Sequence, residues 1–224
     1  MSLRILYGGT FDPVHAGHLA VARAARDTFD ATVSLLPAAD PPHRPAPGAS
    51  ADQRAALLAL ALDGEHGLAV DTRELRRAGP SWTVDTLREL RAELGPEAPL
   101  AWLVGDDAFH GLTSWREWTA LPGLAHFIVA VRPGHAGRAL PPGLAEAFGG
   151  HWATAPGELG ETPAGQMFRL QLAEHPASAT ELRRRLAAGE YTGDWLAPAV
   201  AAEIARRGLY RAGRSPGAYN RPPS

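Results

Sequence analysis

Leu3-Arg4-Ile5-Leu6-Tyr7-Gly8-Gly9-Thr10-Phe11-Asp12-Pro13-Val14-His15-Ala16-Gly17-His18 is the stretch that decides the fold. Its apolar run from Leu3 to Tyr7 stops at a glycine pair, as a short buried strand does. From His15 to Phe29 the apolar residues Leu19, Ala22, Ala25 and Phe29 recur at helical spacing, so a helix follows directly. Strand, glycine-bearing loop and helix in that order make the opening unit of a parallel α/β sheet.

The same alternation continues outward. Thr32 to Leu36 reads as a second strand closed by Pro37, followed by a proline-rich loop from Ala38 to Gly48. Ser50-Ala51-Asp52-Gln53 has the form of a capping box opening a helix to Leu62. Leu68 to Asp71 is a third strand, and Thr83 caps a helix carrying Val84, Leu87, Leu90 and Leu94. Further strands are expected over Leu100–Val104, His126–Val131 and Met167–Leu172. Ser178-Ala179-Thr180-Glu181 repeats the capping-box pattern before a helix to Ala188, and a last helix runs from Pro198 to Arg207 and stops at Gly208. Residues 134–165 are rich in Gly and Pro and receive no assignment.

The predicted class is α/β: a doubly wound, Rossmann-like parallel sheet with helices on both faces and a small C-terminal helical part. Residues 1–211 are expected to form a single domain, and 212–224, with little to bury, a disordered tail. Ligands of such sheets lie beyond the carboxyl ends of the strands, which directs attention to Gly8, Gly105 and Arg132.

Composition narrows the chemistry. The formal net charge is −2, so a phosphate site must be built locally, and a nucleic-acid partner finds no support. Every Lys-or-Arg position is Arg; without lysine, phosphate recognition falls to Arg, His and backbone N–H groups. The chain has no cysteine, which removes thiolate nucleophiles and Cys-based metal sites. The first apolar run is too short for a signal-peptide core and Ala55–Leu62 too short for a membrane span, so the expected compartment is cytoplasmic, with no membrane partner. Oligomeric state is not readable.

Within the opening stretch, His15 and His18 stand three apart at a helix start and share one face, with Gly17 keeping that face open. Two imidazoles beside free helical N–H groups suit a phosphate that gains charge during displacement. Taken alone, the pair reads equally well as a turn residue and a satisfied surface residue, and a zinc site lacks a third ligand nearby.

The run Gly8 to His18 resembles the signature of the nucleotidyltransferase superfamily that carries a His-x-Gly-His motif. Over Leu3 to Arg211 the chain is similar to the bacterial nicotinate-nucleotide adenylyltransferases. Also similar are Pro41-Pro42-His43-Arg44, Arg73-Glu74-Leu75, Pro80-Ser81-Trp82-Thr83, Thr86-Leu87, Gly105-Asp106-Asp107, Trp115, Arg132-Pro133-Gly134 and Ser178-Ala179-Thr180 with Arg183. Ala177 stands where that family commonly has isoleucine.

The resemblance implies transfer of the adenylyl group of ATP to nicotinate mononucleotide, with Mg2+ bound on the ATP and no metal-ligating residue of the protein. It gives the phosphate chemistry to His15, His18 and Arg183. ATP falls to Gly8, Gly9, Thr10, Phe11, Gly105, Asp107, Ser178 and Thr180, and the acceptor to Asp12, His43, Arg44, Thr83, Trp115 and Arg132. Two alternatives stay open: a relative acting on nicotinamide mononucleotide or phosphopantetheine, and a non-catalytic nucleotide sensor on the same fold.

Overall fold

The computed structural model describes residues 2–39, 48–77, 79–132 and 139–211. Six strands lie in one sheet: β1 (Arg4–Gly9), β2 (Thr32–Pro37), β3 (Leu68–Val70), β4 (Leu100–Gly105), β5 (His126–Val131) and β6 (Met167–Gln171). Their order is β3-β2-β1-β4-β5-β6 and every pairing is parallel. Parallel neighbours require crossover helices, which cover both faces and leave the strands apolar on both sides. The helices are α1 (Ala16–Phe29), α2 (Ala51–Ala61), α3 (Arg73–Arg76), α4 (Thr83–Leu94), α5 (Asp106–His110), α6 (Pro142–Ala147), α7 (Ala179–Ala188) and α8 (Pro198–Arg207).

Alternation along each strand sends successive side chains to opposite faces. Ile5, Val33, Leu35, Leu103, Ile128 and Leu170 pack with Leu19 and Ala22 of α1, Leu57 of α2, Leu182 of α7 and Val200 of α8. Leu6, Leu36, Trp102, Phe127 and Val129 pack on the other face with Val84 and Leu87 of α4 and Phe109 of α5. The chain leaves β1 toward β2 on one side, while β4 pairs with β1 on the other. The crevice between their carboxyl ends is the switch point at which sheets of this kind bind ligands.

Some local expectations change. Trp82, not Thr83, is the cap of α4, and Thr83 is its first residue. The box at Ser178 is half-formed: its hydroxyl accepts the Glu181 N–H at 3.2 Å, while the Glu181 carboxylate turns to Arg184 and Arg185, which hold it down to about 2. The first box closes fully, Ser50 and Gln53 exchanging bonds of 3.3 and 2.9 Å. The unassigned stretch supplies the short α6 and a parallel bridge from Trp152 to Met167. Among the described residues no helix is long and apolar enough to cross a membrane.

Candidate active site

His15 caps α1 with an extended backbone, φ −147°, and is only 8% exposed. Its N–H points at Nδ1 of His18, 3.3 Å away, and the two rings stack with centroids 3.7 Å apart. That bond makes His18 Nδ1 an acceptor, so the neutral ring carries its proton on Nε2. Burial drives His15 down to about 4, helped by the nearby charges of His175 and Arg132. Burial, then the His15 ring, holds His18 well below the ordinary imidazole value. Both rings are therefore neutral hydrogen-bonding groups near pH 7.

A cavity of ≈ 430 Å³ opens beside them, lined by Tyr7, His15, Gly17, His18, Arg132, His175, Ser178 and Ala179 among others. The start of α1, the end of β5 and the start of α7 thus converge on one space. Gly17 makes the convergence possible, since a Cβ there would lie 3.1 Å from the His15 ring and 3.3 Å from the Ala177 carbonyl. Arg132 enters directly after β5, where the strand end predicted it. Tyr7 was not singled out by the sequence; its position in the strand before the glycine pair was the available signal. Burial pushes its hydroxyl up to about 12, so it stays protonated as a donor.

Other residues assigned from the sequence are placed differently. Phe11 is a core side chain, 1% exposed, with φ +48° and its ring edge-on to Tyr7 and His18. The glycine pair serves internal packing: a Cβ on Gly8 would lie 2.4 Å from Trp102, and one on Gly9 2.9 Å from Phe11. Asp12 does not line the cavity. Its buried carboxylate accepts the N–H groups of Gly48 at 2.7 Å and Ala49 at 3.2 Å, together with the Tyr210 hydroxyl. Arg183, half-buried, donates to the Asp12 carbonyl at 2.6 Å and to Thr180 Oγ1 at 3.4 Å and does not line the cavity.

Thr83 and Trp115 belong to the opposite side of the sheet, Thr83 opening α4 and Trp115 packed, half-buried, on the core beneath it. Gly105 caps α5 at the end of β4, with no atom within 4 Å of where a Cβ would stand, and Asp107 lies in the first turn. Neither of them lines the cavity. His43 and Arg44 lie outside the described residues. The loop that carries them is anchored by Arg54, a fully buried residue that sequence reasoning missed. Its guanidinium donates to the carbonyls of Thr10 and Ala38 at 2.6 Å, Ala39 at 3.0 Å and Ala49 at 3.3 Å. One side chain therefore joins the first motif to both ends of the loop. Nothing local in the sequence marks such a clamp. Glu74, buried and hence pushed above its usual range, accepts the Thr86 hydroxyl at 2.8 Å and ties α3 to α4 beneath Thr83.

The cytidylyltransferase-like family model matches residues 6–185, more than half of the chain. A protein of Stenotrophomonas maltophilia strain K279a named "Probable nicotinate-nucleotide adenylyltransferase" is 57% identical over 220 residues, covering 94% of this chain and 98% of the relative. This chain belongs to the nicotinate-nucleotide adenylyltransferase family. A second member, of the same printed name, from Xylella fastidiosa strain M12 is 48% identical over 214 residues, covering 93% and 96% of the two chains. The fold of the adenylyltransferase family recurs in the solved structure of Plasmodium falciparum nicotinic acid mononucleotide adenylyltransferase complexed with NaAD. It superposes with a TM-score of 0.69 at 14% identity, covering 94% of this chain and 98% of that one.

Proposed function

We propose that the protein transfers the adenylyl group of ATP to nicotinate mononucleotide, forming nicotinate adenine dinucleotide and pyrophosphate in NAD biosynthesis. The observation that carries the reaction class is the convergence of His15, His18, Arg132 and Ser178 on one cavity at the carboxyl edge of a parallel sheet. Family membership supports the acceptor, and the Plasmodium falciparum relative holds the corresponding dinucleotide.

In this reading an oxygen of the mononucleotide phosphate forms a bond to the α-phosphorus of ATP. The bond from that phosphorus to the α,β-bridging oxygen breaks, and its electron pair leaves with pyrophosphate. No protein nucleophile takes part, so catalysis is positioning and charge stabilisation. His18 offers an Nε2–H whose direction is set by the bond at Nδ1. The open N–H groups and Ser178 hydroxyl at the start of α7 face the triphosphate. Thr10 and Gly105 follow the nucleotide along the strand ends, with Asp107 beside its sugar and Trp115 and Thr83 on the acceptor side. Magnesium carried on the ATP would neutralise part of the triphosphate charge.

The test compares acceptors with purified protein, ATP and magnesium. The expected result is much faster pyrophosphate release with nicotinate mononucleotide than with the nicotinamide analogue. Equal rates would remove the acceptor assignment and leave the reaction class standing.

A further inference from the structure

The cavity holds a third imidazole that the sequence reading did not use. His175 lies in the loop between β6 and α7, three residues before Ser178, and lines the same space as His15, His18 and Arg132. It is close enough to His15 to influence its charge. We infer that His175 is a binding residue for the leaving pyrophosphate, donating a hydrogen bond from Nε2 to its oxygens; the inference rests on the adenylyl-transfer reading above.

Two features prepare the ring for that task. Nδ1 accepts the Ala177 N–H at 3.1 Å, which leaves Nε2 to carry the ring proton as a donor. Pro176 follows, and a residue before proline is confined to extended backbone, which limits how the ring can swing. The make-up of the cavity explains why an N–H donor matters. Among the described residues of its lining, Arg132 and Glu174 carry opposite charges. Attraction for a phosphate therefore falls to N–H groups, those of the three imidazoles and the start of α7.

Two substitutions separate this role from support of the loop. In His175→Asn the amide oxygen reproduces the acceptor at Nδ1 and the distant donor is lost. In His175→Gln the distant N–H is retained and the near acceptor is lost. Calorimetry with magnesium pyrophosphate needs no acceptor nucleotide, so its outcome stands apart from the choice of mononucleotide. The expected result is roughly tenfold weaker pyrophosphate binding and a matching rise in KM for ATP in His175→Asn, with His175→Gln within about threefold of the parent. KM for the mononucleotide and the thermal midpoint of His175→Asn should stay near the parent values. Parent-like pyrophosphate binding in His175→Asn overturns the inference, as does a loss confined to His175→Gln.

Discussion

Tyr210 donates its hydroxyl to Asp12 Oδ1 at 2.8 Å, joining positions 198 residues apart. The contact closes the last described turn of the chain onto the first motif. Its ring also packs where Gly48 has no side chain, 2.9 Å from the place a Cβ would occupy. The Asp12 carboxylate is thereby shared between the loop end and the C-terminal segment, while its carbonyl receives Arg183.

Removing only that hydroxyl tests the junction. Tyr210→Phe keeps the ring and deletes a bond to a charged acceptor, which should cost about 1.5–3 kcal/mol in urea unfolding. An unchanged urea midpoint would mean that the two backbone N–H groups suffice for Asp12.

His18→Ala should lower kcat by roughly 100-fold or more, with ATP binding altered little, because the lost donor acts on charge that appears during displacement. Steady-state kinetics and nucleotide binding, measured together, separate the two quantities. A fully active variant would withdraw the phosphate role from this ring.

Gly8 is required by Trp102. Placing a Cβ 2.4 Å from the indole in Gly8→Ala should destabilise the fold by roughly 1–3 kcal/mol. Combining it with Trp102→Phe, which withdraws the clashing ring, should recover at least about 0.5 kcal/mol relative to additivity. Strict additivity would place the strain elsewhere.

Acid should weaken the fold through the histidine pair. With His15 at about 4 in the folded chain and the ordinary value of 6.5 when unfolded, the unfolded state binds the extra proton between those limits. Stability is then full above about pH 6.5 and falls as pH drops toward 4, by an amount on the order of 3 kcal/mol for this ring alone. His18 is displaced the same way and adds to the loss. Urea midpoints between about pH 7 and pH 4.5 should fall less in a His15→Asn, His18→Asn double variant than in the parent. An equal fall in both proteins would assign the acid sensitivity to other groups.

Much of the architecture was legible because periodicity and punctuation are local. β5 occupies His126–Val131 as read, and α8 ends at Gly208, whose φ of +62° favours glycine. α3 and α6, of four and six residues, are too short to carry a periodic signal and owe their form to packing. His15, His18, Arg132 and Ser178 were each readable as site candidates because each stands at a strand end or helix start, and the structure brings these four to one cavity. Arg54 and Asp12 escaped that logic. Their partners are main-chain groups of the first motif and the loop ends and, for Asp12, also Tyr210 and Arg183. A contact to a peptide carbonyl or amide leaves no mark on the identity of its partner. The glycine pair shows a related limit: pattern shows that room is needed, and only the structure shows that an indole and a phenyl ring lie where a side chain would stand.

Gly17 brings the first turn of α1 against the Ala177 carbonyl at a separation a single methyl group would disturb. The two helix starts come this near only because nothing larger than a hydrogen stands between them, and a bulkier residue at position 17 would push them apart and widen the space they share.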